Sequence, residues 1–150
     1  MSFAICVLRF LYLIMVIPKK FKYRKQFRPK VKGRVSKGYT LAFGEFGLKA
    51  QEGGWLEEKQ LEAGRQAIIH QSKREGKVWI RVVNDRPVTA KGAGVRMGGG
   101  KGDIKGYVAL IEPGRIIFEV GGLPSELAQK ALRLASNKLP FKTKIITKNE

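Results

Sequence analysis

The sequence predicts an α+β fold in which a mixed, mostly antiparallel sheet packs with two helices behind a basic N-terminal tail. Alternating apolar residues over 77–83 and a continuous apolar run over 107–111 are typical of β-strands. Apolar residues at helical spacing over 57–74, and again after Pro124, indicate two helices. We expect a single domain over 39–150, because this length suits one core of ordinary size.

The segment 19–38 precedes this domain and contains ten basic residues and no Asp or Glu. Such a segment repels itself as a free chain and cannot bury a core, so it needs a polyanion to order it. RNA fits best, because aromatic rings and Arg planes stack on splayed bases while cations lie along phosphates. A solvated basic tail is the alternative. The basic residues are Lys19, Lys20, Lys22, Arg24, Lys25, Arg28, Lys30, Lys32, Arg34 and Lys37, interleaved with Phe21, Tyr23, Phe27 and Tyr39.

The composition of the whole chain agrees with a polyanionic partner. Thirty Lys and Arg against twelve Asp and Glu leave a formal charge of +18, with a sequence pI of about 10.3. A surface this positive indicates nucleic acid or an anionic membrane as the partner. Cys6 is the only cysteine, which excludes an intramolecular disulfide. Cys6 and His70 are too few ligands for a zinc ribbon, so we expect no metal and no cofactor.

Residues 1–14 form an apolar leader whose status is open. The apolar run over 3–17 is interrupted only by Arg9 and is shorter than the roughly 20 residues of a membrane-spanning helix. It lacks the charged start and the small-residue cleavage site of a signal peptide. We expect the natural chain to begin at Met15, which makes 15–38 a basic RNA-binding tail. A leader buried against a partner and a short membrane anchor are the alternatives.

The domain begins with residues 40–48, which we predict to be an irregular strand pair or hairpin because Gly44 and Gly47 interrupt the apolar residues. A helix over 57–74 follows, and Gly76 ends it. The residues that share its predicted buried face are Leu61, Gly64, Ile68 and Ser72.

The strand over 77–83 alternates between two faces. Val78, Ile80 and Val82 point to the core, and Lys77, Trp79 and Arg81 point away from it. We interpret the outward face as an RNA-binding surface. For Trp79, cover over a second apolar layer is the alternative, since large aromatic side chains are mostly buried. An outward Arg81 predicts that its removal leaves thermal stability nearly unchanged.

The second half of the domain reads as strand, turn, strand, helix and strand. The run 107–111 is apolar on both faces and therefore central, and Pro113 and Gly114 supply a tight turn into 116–120, which predicts a β-hairpin. Pro124 opens the second helix. Its predicted buried stripe is Leu127, Ala131, Leu134 and Ala135. The last strand, over 141–148, shows a basic face formed by Lys142, Lys144 and Lys148.

A loop rich in glycine and basic residues lies at about 85–106. The phosphate-binding P-loop motif fits it badly, because Val95 and Gly102 stand where that motif needs Gly and then Ser or Thr. A dinucleotide-binding fingerprint starting at Gly92 also fails, since Met97 occupies the position of its last Gly. A nucleotide site is therefore not predicted here.

What remains is a flexible loop whose backbone amides and cations can approach phosphates closely. We expect RNA to order this loop, and a disordered loop is the alternative. Its centre is Arg96, Met97, Gly98, Gly99, Gly100, Lys101 and Gly102.

Catalysis has little support in the sequence. His70 is the only histidine and lies on the first predicted helix, so the usual nucleophile and base pairs lack partners. Glu57, Glu58 and Glu62 lie in the first turns of that helix, where carboxylates favour the helix dipole. We predict that the chain is not an enzyme.

Four motifs in order resemble those of the bacterial large-subunit ribosomal protein L-sixteen family, over about residues 15–150. They are Met15-Val16-Ile17-Pro18-Lys19-Lys20 with Lys22-Tyr23-Arg24-Lys25, Phe43-Gly44-Glu45-Phe46-Gly47-Leu48, Lys73-Arg74-Glu75-Gly76-Lys77-Val78-Trp79-Ile80-Arg81-Val82, and Arg96-Met97-Gly98-Gly99-Gly100-Lys101-Gly102. The first motif is the main support for a start at Met15. Val83, Asn84 and Tyr107 depart from the usual family residues, which are an aromatic or Leu, then Pro or Ala, and Trp.

The resemblance implies a hammerhead-type α+β fold without enzymatic activity or cofactor. It implies binding to 23S rRNA near the aminoacyl-tRNA site, support of tRNA positioning and late subunit assembly, and a cytoplasmic, ribosome-bound location. The implied partners are 23S rRNA, tRNA and neighbouring large-subunit proteins, with 5S rRNA as a further candidate and with no membrane and no obligate homo-oligomer.

The residues expected to contact RNA fall into two sets. The rRNA-binding set is Lys19, Lys20, Lys22, Tyr23, Arg24, Lys25, Arg28, Lys30, Lys32, Arg34, Lys77, Arg81, Lys142 and Lys144. The loop set, near rRNA or tRNA, is Arg96, Met97, Gly98, Gly99, Gly100, Lys101 and Gly102. Chemistry alone leaves a competing class open: a nonspecific nucleic-acid chaperone or DNA-compacting protein, or more remotely a membrane-surface protein anchored by the leader.

Overall fold

The fold is seen in a computed structural model that describes residues 20–73 and 75–148. The expected leader, the start at Met15 and Lys19 lie outside these residues. The elements in chain order are β1 (Phe46–Ala50), β2 (Gly54–Glu57), α1 (Glu58–Gln71), β3 (Lys77–Ile80), β4 (Arg86–Ala90), β5 (Asp103–Ile111), β6 (Ile116–Gly121), α2 (Ser125–Ser136) and β7 (Thr143–Thr147). The predicted α+β class, with two helices and antiparallel strands, is confirmed.

The strands form two antiparallel sheets where the sequence predicted one. The four-stranded sheet has the order β3-β6-β1-β7, and the three-stranded sheet has the order β2-β5-β4. Strand β5 is central in its sheet, as its two apolar faces predicted. All six residues of β6 are buried, because β6 lies inside the larger sheet and under the helices. The two helices pack against each other and against both sheets.

The predicted hairpin between β5 and β6 is wrong. The turn itself exists, since the Arg115 amide donates to the Glu112 carbonyl over 3.1 Å and Gly114 adopts a φ of +95°. However, β5 pairs with β2 and β4, whereas β6 pairs with β1 and β3. The turn therefore carries the chain from one sheet to the other.

Helix α1 begins and packs as its sequence indicates. Glu57 and Gln60 form a reciprocal capping box, in which the Glu57 amide donates to the Gln60 side chain over 3.1 Å. The predicted buried face is confirmed, and Arg65 joins it. Gly64 is needed because a Cβ there would lie 3.0 Å from the Phe118 ring, so α1 approaches β6 closely.

Helix α2 buries a different stripe from the one predicted. Ala131 and Ala135 are buried as expected, but Leu134 is exposed and Leu127 is only half-buried. The helix is rotated so that small side chains face the sheet and α1, and Leu132 is the large residue that fills the core. The buried residues of α2 are Ala128, Ala131, Leu132 and Ala135.

Two strands escaped prediction, and one predicted segment is shorter. Strand β2 follows β1 directly and was not expected, and β4 lies within the predicted loop 85–106. The irregular segment 40–45 contains no strand, so only the end of 40–48 becomes β1. Strand β1 pairs with β6 and β7, which are distant in sequence, and not with a neighbouring hairpin strand.

Candidate nucleic-acid interface

The glycine-rich loop is the tip of the β4–β5 hairpin. It covers residues 91–102, all of which are exposed except Gly102. Gly98, Gly99 and Gly100 adopt φ values of +99°, +66° and +91°, and no atom lies within 4 Å of the place a Cβ would take. Positive φ explains why glycine is favoured here, and the open space leaves the backbone free to approach a ligand.

The two legs of the loop are held differently. A Cβ on Gly102 would lie 2.5 Å from the Ala90 carbonyl oxygen, so any other residue at that position forces the backbone at the base of the hairpin to shift. On the other leg, the Lys91 ammonium donates to the carbonyls of Arg96 and Gly98, which folds the tip back on itself. The tip side chain Met97 is 97% exposed.

The basic tail meets the loop at its base. The Lys25 ammonium donates to the Lys101 carbonyl over 3.0 Å, and the Lys101 ammonium donates in return to the Gln26 carbonyl. Lys101 also lies 5.9 Å from the centroid of the Phe27 ring. The structure thus joins two regions that the sequence predicted separately, the tail and the glycine loop.

The same part of the tail lies along the smaller sheet. Phe21 stacks on Tyr107 with ring centroids 5.2 Å apart, and the Arg28 guanidinium lies 4.7 Å from the Trp55 ring centroid. The Gln26 side chain accepts a hydrogen bond from Arg86 over 2.7 Å. Tyr107, one of the departures from the family pattern, therefore supplies an aromatic surface for the tail.

The rest of the tail crosses the turn between the sheets. The Val35 amide donates to the Pro113 carbonyl over 3.1 Å, the Ile116 amide donates to the Gly38 carbonyl over 3.1 Å, and Arg115 donates to the Lys37 carbonyl over 3.0 Å. The end of the tail is thus hydrogen-bonded to the domain itself, which differs from the expectation that a polyanion is needed to order it, and most of its charged side chains face solvent. The exposed tail residues from the predicted set are Lys20, Lys22, Tyr23, Arg24, Arg28, Lys30, Lys32 and Arg34.

The remaining predicted contacts are not gathered at the loop. Lys77 is exposed on β3, at one edge of the larger sheet, whereas Lys142 and Lys144 are exposed beside and on β7, at the opposite edge. The Lys142 ammonium lies 3.1 Å from a carboxylate oxygen of Glu52. The predicted residues therefore form a tail and loop surface and two separate sheet edges.

Arg81 has a structural partner that the alternation pattern did not reveal. Its guanidinium forms an ion pair with Glu119, whose side chain has no exposed surface. Trp79 and Glu119 are directly opposite each other on β3 and β6, so Glu119 lies on the same face as Arg81. An acidic residue inside the apolar run 116–120 was the available signal, because a buried carboxylate needs a partner.

Glu119 also fixes the backbone that leads into β1. Its carboxylate accepts hydrogen bonds from the amides of Ala42, Phe43 and Gly44, over 3.1, 2.7 and 2.9 Å. Burial alone would raise the pKa of Glu119, but these three amides together with the Arg81 charge outweigh it and hold the pKa below its ordinary value. Glu119 is therefore ionised in the folded protein and ties β6 to segment 40–45.

Phe43 is a surface feature that the sequence reasoning missed. Its ring is 63% exposed, although its backbone is held by Glu119. It stacks on Trp79 with centroids 6.1 Å apart, and the Arg81 guanidinium lies 5.0 Å from its centroid. The sequence placed Phe43 among the apolar residues of the predicted irregular strand pair over 40–48. Phe43 directly precedes Gly44 in the irregular segment 40–45, and this position was the available signal that its side chain is exposed.

The acidic residues at the start of α1 have structural roles. Glu57 caps the helix, and Glu62 accepts a hydrogen bond from the Arg65 Nε over 2.8 Å. That hydrogen bond is the main reason why the pKa of Glu62 is lowered.

Residues 20–73 and 75–148 contain no group of three or more His, Cys, Asp or Glu side chains placed to hold a metal ion. Within the same ranges, neither helix has the length and apolarity to cross a membrane.

Comparisons with known proteins identify the family of the chain. The sequence profile of the family described as Ribosomal protein L16p/L10e matches residues 18–146. The chain is 54% identical over 136 residues to a protein of Kosmotoga olearia named large ribosomal subunit protein uL16, covering 91% of this chain and 96% of that protein. Proteins of the same name from Lactobacillus johnsonii and Lactobacillus gasseri are 51% and 50% identical over 135 residues, covering 90% of this chain and 93% of each relative.

The L16 family is one of structural, non-enzymatic proteins. The loop at 91–102 lacks a phosphate-binding motif, and His70 stands alone on α1. The cations of the tail and the loop, in contrast, suit a place inside an RNA-protein particle. From the family match and the three relatives, the chain belongs to the Ribosomal protein L16p/L10e family.

Proposed function

We propose that this chain binds 23S rRNA near the aminoacyl-tRNA site, supports tRNA positioning, and joins the large subunit late in assembly. The junction of tail and loop carries the proposal. The Lys25 ammonium bonds to the Lys101 carbonyl and the Lys101 ammonium bonds to the Gln26 carbonyl, so the basic tail and the basic loop are held in contact. Its partners in this proposal are 23S rRNA, tRNA and neighbouring large-subunit proteins.

The tail supplies the general attraction to RNA. Its backbone is hydrogen-bonded to the turn between the sheets at residues 35–38, while most of its Lys and Arg side chains are exposed. Fixed cations lose less conformational freedom on binding than a free basic chain would. If about 6 to 10 phosphates are neutralised, the affinity falls by about a thousandfold or more between 50 and 200 mM salt.

The loop supplies a close approach. Its three consecutive glycines leave the backbone uncovered, and Arg96 and Lys101 place charge at both ends. Apart from chain neighbours, nothing lies within 4 Å of the absent Cβ positions of 98–100, although the Lys91 ammonium already occupies the Gly98 carbonyl. We place this loop, and not the tail, nearest to tRNA.

The experiment compares charge removal at two places. Purified protein is titrated with 23S rRNA at several salt concentrations, and the same titration is made with Lys22→Ala/Arg24→Ala. The matched control is Lys59→Ala/Lys130→Ala, which removes the same charge from exposed positions on the helices. We expect the tail variant to lower the slope of log affinity against log salt by about 1.5 to 2, and the control to leave it unchanged.

Equal slopes for the two variants would contradict the proposed role of the tail. Equal affinity for 23S rRNA and for unrelated duplex DNA would favour the nonspecific chaperone or DNA-compacting alternative.

For the loop, the variant Gly99→Val/Gly100→Val is expected to fold yet to enter subunits poorly or to slow tRNA accommodation. Lys101→Ala should show a milder defect. Normal incorporation and accommodation with both variants would remove the loop from the proposal.

A further inference from the structure

We infer that a groove beside Phe43 and Trp79 receives one unstacked nucleobase of the bound RNA. The groove lies at the β3 edge of the larger sheet, away from the tail and the glycine loop, and is lined by Phe43, Glu45, Gly76, Lys77, Trp79 and the Gly121-Gly122 pair. This inference rests on the proposed function, because it assumes that RNA is the partner.

The aromatic wall of the groove is rigid. Trp79 packs on the backbone of Gly121, where a Cβ would lie 3.2 Å from its ring, and its other neighbour is the Phe43 ring. The backbone of Phe43 is fixed by the hydrogen bond from its amide to Glu119 and by the packing of Gly44 on Val120, and its ring contacts both Trp79 and Arg81. A fixed aromatic pair loses little entropy when a base packs against it.

The exposure of Phe43 needs an explanation. A residue that is 63% exposed gains little from the hydrophobic effect, yet one backbone hydrogen bond and two contacts of its ring hold it in place. Base stacking on aromatic side chains is worth about 1–3 kcal/mol per base and tolerates any base. The structure thus prepares a stacking surface and leaves it open.

The charges around the groove favour a nucleotide over an apolar peptide. Lys77 is exposed at the lip and can pair with a phosphate, whereas Glu45 is exposed on the same groove and accepts from the N–H groups of a base edge. Gly76 and Gly122 line the same groove with backbone and add no side chain to it. The aromatic pair can stack on a base, Lys77 can pair with the phosphate of the same nucleotide, and Glu45 can accept hydrogen bonds from the base edge.

The test uses the fluorescence of Trp79. The chain has two Trp residues, so Trp55→Phe leaves Trp79 as the only one. This variant is titrated with a single-stranded RNA oligomer and with an abasic ribose-phosphate oligomer of equal length and charge. We expect saturable quenching of Trp79 by the RNA and none by the abasic oligomer, although the tail binds both.

Phe43→Leu in the same background separates stacking from charge. Its affinity for the RNA oligomer should fall about 5- to 100-fold, with an unchanged salt slope, because stacking involves no counterion release. Lys77→Ala should instead lower the slope by about one and retain the quenching. Phe43→Tyr keeps the ring and should behave like the parent, which controls for effects on folding.

Several outcomes would overturn the inference. Equal quenching by the RNA and abasic oligomers, or parental affinity for Phe43→Leu, would show that no base enters the groove. Loss of a neighbouring ribosomal protein from subunits made with Phe43→Leu, with unchanged RNA titrations, would make the groove a protein contact. Failure of the parent chain to bind 23S rRNA would instead overturn the proposed function itself.

Discussion

Replacing Arg81 with alanine removes the only cation that the described residues pair with the buried Glu119 carboxylate. Glu119 has no exposed side-chain surface, and Arg81 is only 21% exposed, so water replaces the lost guanidinium poorly. Breaking a buried ion pair on one side typically costs about 3–5 kcal/mol. Three backbone amides still solvate the carboxylate, which places the expected loss near about 3 kcal/mol.

A second contribution comes from the aromatic neighbour. The guanidinium lies 5.0 Å from the Phe43 centroid, and a cation–π contact of this kind adds about 0.5–1 kcal/mol. The total of about 3–4 kcal/mol corresponds to a fall in Tm of about 9–12 °C for a chain of this size. This replaces the expectation, drawn from alternation alone, that Arg81 affects RNA binding without affecting stability.

The assay is urea unfolding followed by circular dichroism, together with a thermal melt. Lys77→Ala is the matched control, because Lys77 lies on the same strand and face but is exposed, and it should change stability by less than about 0.5 kcal/mol. In a double-mutant cycle, Arg81→Met and Glu119→Gln should be coupled by more than about 1 kcal/mol. A loss below about 1 kcal/mol for Arg81→Ala, or no coupling, would refute the reasoning.

Three further predictions concern stability. The pKa of Glu119 in the folded protein lies below its ordinary value of 4.5, so ionised Glu119 contributes its full stabilising free energy above that value and loses it as the pH falls. The free energy of unfolding should therefore decline more steeply below about pH 5 in the parent protein than in Glu119→Gln. Parallel pH curves for the two proteins would count against this prediction. Neither polar atom of the buried Asn84 side-chain amide has a hydrogen-bond partner among the described residues. Asn84→Ala should therefore leave the urea midpoint of unfolding unchanged or raise it. A loss of more than about 1 kcal/mol in the free energy of unfolding would show that the amide is hydrogen-bonded. Gly102→Ala should lower the free energy of unfolding by about 1–3 kcal/mol, because its Cβ would meet the Ala90 carbonyl. The control Gly106→Ala has open space around its Cβ and should lower it by less than about 1 kcal/mol. Equal effects would show that the base of the hairpin is not tightly closed.

Elements with strong local signals could be predicted from the sequence. The capping residues and apolar face of α1, the alternation of β3 and the glycine turn at 112–115 all follow from spacing and turn chemistry. What the turn joins could not be predicted, since the same residues at 112–115 serve a hairpin or a crossing between sheets. Strand pairing depends on distant residues, and β1 finds its partners in β6 and β7.

The site was predictable in composition and not in arrangement. Charge and glycine content marked the tail and the loop, but the reciprocal contacts of Lys25 and Lys101 join residues 76 positions apart. Alternation placed Arg81 on the outward face of β3 and could not show that Glu119 occupies that same face from β6. A side chain's face follows from local periodicity, whereas its partner follows from the fold.

The most direct test of the account is a cryo-electron-microscopy structure of salt-washed large ribosomal subunits from cells that express this chain. The account predicts density for the chain on 23S rRNA, with the tail cations beside phosphates and the loop at 91–102 facing the aminoacyl-tRNA site. Absence of the chain from salt-washed subunits, or a position in which the tail and loop face solvent, would contradict it.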